Sequence, residues 1–348
     1  MLSSWVRDYS DPETYQSAFI GARVEILPTR GGPFAARAMR TELNRLWVAR
    51  AQESAPRIKH SAQSPERAFF TFLTQPGPEL VTNGIAMPLS GLLRHSRAHA
   101  YHERSTGPTF WGVMSLPVED MVSVGAAIAG RDLRPPRDTL QVIAPSAAIA
   151  RLRDLHASVG ALAETAPETL ARREVQRGLE QSLVAALVAC ESDGESREER
   201  WAQRCHETVM RRFRRVLDEN PDRALYLPEL CAAINVPDRT LRLCCQEHLG
   251  MGPKQYLMLR RIHLARRALR AADPRVTTVT EIATRYGFWH FGRFAGVYRS
   301  LFGEAPSATL GHPPAWAGRN SCAHRRTVNT SRESVIGVHR AGGSLPRA

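Results

Sequence analysis

The feature that most restricts the fold of this chain is a pattern that occurs twice near its carboxyl end, with an offset of 52 residues. The first copy spans residues 228–241 and the second spans residues 280–294. Each copy predicts a short helix with an acidic first turn, then a residue suited to a left-handed backbone, Asn235 or Gly287, and then a second helix. Two helices joined in this way form a helix-turn-helix unit, whose second helix can lie in a major groove.

A single long helix is predicted between the two copies. It begins at Pro253, a residue type favoured in the first turn of a helix, and runs to about Ala272. About 19 residues rising ~1.5 Å each give ~28 Å, which is close to the ~34 Å between successive major-groove faces on one side of DNA. We therefore expect this helix to hold two recognition helices in adjacent grooves. Its predicted apolar stripe consists of Tyr256, Leu259, Ile262, Ala265 and Leu269.

The positive charge of the chain is confined to the part that carries the repeat. The formal net charge is +13, but residues 1–196 contain 21 basic and 21 acidic residues, whereas residues 197–348 contain 26 basic and 13 acidic residues. A basic block of this size attracts a polyanion such as nucleic acid, because binding releases condensed counterions. An arginine-rich composition without nucleic-acid binding is the alternative, but it does not explain why the first part is neutral.

The remainder of the chain predicts an α+β multidomain protein. Short apolar runs separated by Pro and Gly predict an N-terminal β-sandwich or cupin-like sensor domain, and apolar residues at helical spacing follow. The C-terminal domain is all-α, with two helix-turn-helix units joined by the long helix. The predicted parts are a β-rich effector or sensor domain (1–145), a helical dimerisation or support segment (146–190), a linker (191–199), the double helix-turn-helix DNA-binding domain (200–310) and a disordered basic tail (311–348).

The sequence also indicates where the protein resides. The longest apolar stretch, residues 121–130, is about half of the ~20 residues needed to span a bilayer. The N-terminus lacks the apolar region of a secretory signal, and the six cysteines form no Cys-x-x-Cys motif. We therefore expect a cytoplasmic, nucleoid-associated protein with no membrane partner.

Residues 200–310 resemble the AraC/XylS (arabinose-operon-regulator) family of bacterial transcription factors. The resemblance rests on VPDRTLR at 236–242, HLGMGPKQYL at 248–257, RRIHLARRAL at 260–269 and GFWHFGRF at 287–294, which continues to FGEAPS at 302–307. The GFWH segment is similar to the branch that contains the ethanolamine-operon regulator. The resemblance implies a sequence-specific activator that binds double-stranded promoter DNA and RNA polymerase. It also implies a variable N-terminal domain, at about 15–190, that binds an unknown small-molecule effector and forms a homodimer.

The candidate DNA-binding residues lie on the two predicted recognition helices. Arg239, Thr240 and Arg242 fall on positions that face DNA in the family, and arginine can bridge O6 and N7 of guanine. Where the family often has a second arginine this chain has Leu243, which removes one expected base contact, and Cys245 replaces an aromatic core residue. The second helix contributes His290, Phe291, Gly292, Arg293 and Gly296, and the predicted phosphate contacts are Arg260, Arg261, Arg266 and Arg267.

A group of histidines in the N-terminal domain suggests a different class of function. His95, His99 and His102 lie close together in sequence, beside Glu103, and such a group can bind a metal. The alternative is therefore a cupin-like metal- or ligand-binding β domain with enzyme activity, attached to a nonspecific DNA anchor. The chain has no Gly-x-Ser-x-Gly, phosphate-binding loop or dinucleotide motif. We predict no catalytic residues, metal or cofactor. Four aromatic residues line an effector pocket or, alternatively, pack in the core: Trp47, Phe70, Phe72 and Trp111.

Overall fold

The computed structural model describes residues 4–19, 22–97, 100–197, 201–220 and 223–311. His99 and all of the predicted basic tail except Gly311 lie outside the described residues. No helix within these ranges is both long and apolar enough to cross a membrane.

Two antiparallel sheets form the N-terminal part. In spatial order the first contains β1 (Ser4–Tyr9), β3 (Ala36–Leu43), β4 (Leu46–Glu53), β11 (Thr109–Pro117), β6 (Arg67–Leu73), β9 (Gly91–Arg94), β12 (Leu140–Ile143) and β13 (Glu195–Arg197). The second contains β2 (Ala22–Pro28), β5 (Arg57–Gln63), β10 (Tyr101–Ser105), β7 (Leu80–Thr82) and β8 (Ile85–Ala86). The β7–β8 hairpin turns at Asn83 and Gly84, both with positive φ, as expected for an Asn-Gly turn.

Helices precede, cover and follow these sheets. The described helices are α1 (Pro12–Gln16), α2 (Val118–Val124) with a π-helical turn after it (Gly125–Ala129), α3 (Ser146–Thr165), α4 (Pro167–Leu170), α5 (Arg173–Ser192), α6 (Trp201–Glu219), α7 (Leu227–Ile234), α8 (Asp238–Leu249), α9 (Pro253–Ala271), α10 (Val279–Arg285), α11 (Phe291–Phe302) and α12 (Pro306–Gly311).

The elements stack in layers because the strands alternate apolar side chains between their two faces. On β4, Leu46 and Val48 join a core with Leu152 of α3 and Leu187 of α5, whereas Trp47 points into the space between the two sheets. The outer face of the second sheet is covered by the C-terminal helices. There Leu27 and Ile58 share a core with Phe213 of α6 and Tyr256 of α9.

This architecture confirms the predicted fold class of a β-rich domain followed by a helical domain with two helix-turn-helix units. The long connecting helix is α9, and all five residues of its predicted stripe are buried. The predicted linker differs from the structure at Glu195–Arg197, because this segment is strand β13 and pairs with β12. Backbone pairing at the sheet edge thus orders a polar segment that its composition alone assigns to a linker.

Candidate nucleic-acid interface

The first helix-turn-helix unit consists of α7 and α8. Helix α7 ends at Asn235, whose φ of 53° is left-handed, and the N–H of Val236 then donates to the carbonyl of Cys231 at 3.1 Å. Helix α8 buries Leu241, Cys244 and Cys245 against this unit's core. The opposite side of α8 therefore faces solvent.

The residues of α8 that are predicted to contact DNA lie on its outer side, but one of them, Arg242, is paired with a carboxylate of the same helix. Arg239 is exposed and Thr240 is half-buried. The Arg242 guanidinium donates to both carboxylate oxygens of Asp238, at 2.9 and 2.7 Å. This hydrogen bond lowers the pKa of Asp238, so the surface carries a carboxylate beside its arginines. Asp238 thus engages Nε and one terminal nitrogen of Arg242 and orients its guanidinium on the outer face of α8.

The second unit, α10 and α11, is built on the same plan. Thr278 and Glu281 form a capping box at the start of α10, with hydrogen bonds of 3.2 and 2.8 Å. Gly287 has a φ of +77°, and a Cβ there would lie 2.9 Å from the Tyr226 hydroxyl, so both backbone and space favour glycine. Phe294 and Tyr298 are buried, and this burial fixes the rotation of α11.

All five predicted readers of the second unit are exposed: His290, Phe291, Gly292, Arg293 and Gly296. Among the described residues, no atom lies within 4 Å of a Cβ built on Gly292 or Gly296. Packing of the described chain therefore requires neither glycine, although glycine inside a helix costs stability.

Arg260 departs from the sequence expectation of a phosphate contact, because it is buried in this arrangement. Its side chain is only 4% exposed, and it donates to the carbonyls of Leu217 at 3.0 Å and Asn220 at 3.5 Å. These carbonyls lie at the carboxyl end of α6, where a cation is favourable. Arg260 thus closes α6 from within the helical domain.

The other arginines of α9 also contact the protein itself. Arg266 pairs with Asp11 at 3.3 Å, and Arg267 pairs with Glu25 at 3.3 Å. Arg261 is half-buried, with its guanidinium 5.4 Å from the centre of the Tyr226 ring. In this arrangement Arg266 and Arg267 face the β domain rather than a phosphate backbone, which departs from the sequence expectation.

Acidic side chains of the β domain form a counter-surface for the helical domain. Arg270 pairs with Asp11 at 2.8 Å and with Glu13 at 3.2 Å, and Arg214 pairs with Glu25 at 2.7 Å. Burial on its own raises the pKa of Glu25, but Arg214 and its neighbouring arginines outweigh burial and lower it. Part of the positive charge of the C-terminal region is thus neutralised within the protein.

The β domain contacts both helix-turn-helix units. His60 on β5 hydrogen-bonds the hydroxyl of Tyr256 at 2.6 Å, in the core of the first unit. On the second unit, a Cβ on Gly31 would lie 1.9 Å from the backbone oxygen of Ser300, so this loop touches α11 directly. These two contacts fix the position of both units relative to the β domain.

The two histidines of the predicted group that the structure describes, His95 and His102, have separate partners. His95 is buried and hydrogen-bonds Thr71 at 2.8 Å, whereas His102 contacts His60. Burial lowers the pKa of both His60 and His102, which keeps these rings neutral at the domain interface. In the described ranges, which exclude His99, no group of three or more His, Cys, Asp or Glu side chains is placed to hold a metal ion.

A cavity of about 90 Å³ lies between the two sheets of the β domain. Trp47 and Trp111 line it as the sequence suggests, but Phe70 and Phe72 lie in the core beneath α3 and α5. Lys59 also lines the cavity, and its ammonium group is 2.9 Å from Glu103 and 4.7 Å from the centre of the Trp111 ring. The cavity thus combines aromatic walls with cationic side chains, since Arg40 and Arg50 line it as well.

Sequence reasoning missed several residues of the candidate interface. Trp289 is 67% exposed in the turn before α11, and Gln246 and Lys254 share a groove with Arg239. Helical spacing offers a signal for Gln246, because it lies seven residues after Arg239 and hence on the same side of α8. The sequence signal for Trp289 is weaker, because this residue lies in the turn between two helices.

Fold and interface together define a class of protein, a β-sandwich that carries a double helix-turn-helix unit. Residues 230–312 match the family described as "Helix-turn-helix domain". The XylDLEGF operon transcriptional activator 2 of Pseudomonas putida is 36% identical over 106 residues, which cover 30% of this chain and 65% of that protein. The probable thc operon regulatory protein of Rhodococcus erythropolis is 39% identical over 94 residues, which cover 27% of this chain and 28% of that protein.

A solved structure, that of the AraC-like transcriptional activator CuxR, aligns with 75% of this chain and 95% of its own, at 13% identity and a TM-score of 0.38.

Proposed function

We propose that this protein is a sequence-specific DNA-binding transcription regulator that acts as an activator at promoters. One observation carries the proposal: two helix-turn-helix units turn the outer faces of α8 and α11 to solvent and are joined by the 19-residue helix α9. A helix of that length spans ~28 Å, close to the ~34 Å pitch of DNA. The match of residues 230–312 to the helix-turn-helix family and the 36% identity over 106 residues to a transcriptional activator support the same function.

In the proposed complex, the first unit reads bases through Arg239, Thr240 and Arg242. The second unit uses the exposed end of α11, where His290 and Arg293 supply polar groups and Phe291 an apolar one. Gly292 and Gly296 allow close approach of the DNA backbone. Arg261 remains a candidate phosphate contact.

The N-terminal domain is proposed to bind a small-molecule effector and to bias promoter binding by shifting the population of domain arrangements. The support is the cavity between the sheets and the contacts through which this domain holds both helix-turn-helix units. A homodimer, contact with RNA polymerase, a cytoplasmic, nucleoid-associated location and the lack of catalytic activity belong to the same proposal. So does membership of the AraC/XylS family, in the branch that resembles the ethanolamine-operon regulator.

Footprinting on genomic fragments selected by the full-length protein tests this function. We expect a defined protected site with two major-groove contacts about one helical turn apart. Protection that is uniform along every DNA fragment and depends only on the salt concentration would overturn the proposal. Such a result combined with metal-dependent turnover would instead favour the cupin-like alternative.

Replacing Arg239 by alanine is expected to weaken binding to the selected site by ~1–3 kcal/mol and to relax preference at one base pair, because a bidentate contact to guanine is lost. Arg285→Ala, an exposed arginine on α10, is the matched control and should not relax base preference. Binding measurements on a panel of single base-pair variants distinguish the two. Equal weakening by Arg239→Ala on every sequence contradicts base reading at this position.

Replacing Gly292 or Gly296 by alanine is expected to have opposite effects on stability and on binding. Each change should raise the free energy of unfolding by ~0.5–1 kcal/mol, because alanine loses less backbone entropy in a helix. Each should also weaken DNA binding, since a methyl group keeps the DNA backbone away. Gly178→Ala in α5, where a Cβ also meets no described atom within 4 Å, should raise stability without affecting binding. Wild-type affinity in both α11 variants would refute the close approach.

A further inference from the structure

Leu243 is a large apolar side chain on the solvent-facing side of the first recognition helix. It is 57% exposed, whereas Leu241 and Leu249 of the same helix are buried. A leucine exposed to this extent gains only part of the free energy that full burial would provide. Neither helix propensity nor packing within the described protein requires an apolar side chain here, because a charged residue such as arginine forms helices as well as leucine does.

The surroundings of Leu243 indicate what can cover it. It shares a surface groove with Arg239, Arg242, Gln246 and Lys254. An apolar protein surface that covered Leu243 would also remove the cations Arg239 and Lys254 of this groove from water without supplying an anion to pair with them, which is unfavourable. Duplex DNA satisfies both requirements, because its phosphates pair with cations and its major groove displays the methyl group of thymine.

We propose that Leu243 reads the 5-methyl group of a thymine in the recognised site. The inference rests on the proposed DNA-binding function and extends it to sequence preference. It assigns a reading role to the position where the sequence comparison only showed an arginine to be missing. Apolar contact replaces the hydrogen bonds that an arginine would make.

The position of this thymine follows from the helix geometry. Arg239 and Leu243 are four residues apart on the same side of α8. Four residues rise about 6 Å along a helix, which is close to two base-pair steps of about 3.4 Å. We therefore expect the thymine about two base pairs from the base pair at which Arg239→Ala relaxes preference.

The test replaces each thymine of the footprinted site, one at a time, by deoxyuridine, which lacks only the 5-methyl group. The wild-type dissociation constant is expected to rise about fourfold at one position, the equivalent of exposing one methyl-sized group. Leu243→Ala should weaken binding to the unmodified site by at least as much. In this variant, deoxyuridine at that position should no longer raise the dissociation constant. The effects of deoxyuridine at the other positions should be the same as for the wild type.

Ile128→Ala is the matched control, because Ile128 is also 57% exposed but lies on the β domain. It should retain the full methyl response. The inference is overturned if wild-type protein responds to no deoxyuridine, or if Leu243→Ala responds as wild type does. It is also overturned if Leu243→Ala lowers transcription in a reconstituted assay with unchanged DNA binding. A defined footprint without a methyl response rejects only this inference, whereas the lack of any footprint rejects the proposed function as well.

Discussion

Replacing Arg57 by methionine is expected to lower the free energy of unfolding of the β domain by about 3–5 kcal/mol, because it leaves buried carboxylates without their main cation. The Arg57 Nε donates to Glu53 at 2.7 Å, and a terminal nitrogen of the same guanidinium donates to Glu103. All three side chains are at most 1% exposed. Lys59, 2.9 Å from Glu103, is the remaining cation and cannot reach the same geometry with both acids. Urea unfolding followed by tryptophan fluorescence measures the loss.

An exposed pair supplies the control for this result. Arg37 pairs with Asp8 at the surface, and Arg37→Met should change stability little, because solvent and salt screen such pairs. If Arg57→Met fails to fold, the double variant that also carries Glu53→Gln should recover much of the stability, since Glu103 keeps Lys59 as its partner and no carboxylate of this network is then left without a cation. A loss below about 1 kcal/mol in the single variant contradicts the expectation.

The pH dependence of unfolding gives a second measure of the same network. Burial on its own raises the pKa of Glu53, but the charges of Arg57 and Lys59 and the hydrogen bonds from Trp111 and Tyr15 lower it to about 2. A carboxylate whose pKa is lower in the folded state stabilises the protein above its unfolded pKa, and this contribution is lost as the pH falls through the folded pKa. Wild-type stability should therefore decrease from about pH 4.5 towards pH 2, and less steeply in Glu53→Gln.

The second large effect is expected at Arg260, where the sequence and the structure disagree. Arg260→Ala should lower the free energy of unfolding by about 2–3 kcal/mol, because carbonyls at the carboxyl end of α6 lose a charged donor. The salt dependence of DNA binding should stay unchanged, since the buried guanidinium reaches no phosphate. Chemical unfolding and a salt titration of the dissociation constant measure the two quantities.

Arg293→Ala provides the comparison, because Arg293 is exposed on α11 and predicted to contact DNA. It should leave stability unchanged while weakening DNA binding. If Arg260→Ala instead reduces the slope of log K against log salt by about 1 with little loss of stability, Arg260 is a phosphate contact and its burial in this arrangement does not persist on DNA.

Local patterns were sufficient to predict the helices that carry the candidate interface. The left-handed residues Asn235 and Gly287 mark the two turns, and the apolar spacing that starts at Pro253 marks α9. These signals act within one or two helical turns, so they can be read without knowledge of the fold. The same reasoning gave the outer positions of α8, because buried Leu241 and Cys244 set its rotation.

Local sequence patterns did not predict which residues the charged side chains pair with. Arg260 and Arg261 are adjacent and chemically identical, yet one is buried against α6 and the other lies over the Tyr226 ring. His95 and His102, two of the histidines that suggested a metal site, likewise have partners that only the fold reveals. His102 faces the helical domain beside His60, while His95 hydrogen-bonds Thr71 within the β domain.

The sequence by itself determined the helices of the two helix-turn-helix units, their order and the solvent-facing sides of the recognition helices, because periodicity and capping are local properties of the backbone. Only the tertiary structure decided which arginines remain available for DNA, since Asp11 and Glu25 lie more than 200 residues before the arginines of α9 with which they pair. The sequence gives the charge of each side chain, but the packing of one domain on another determines which residue pairs with it.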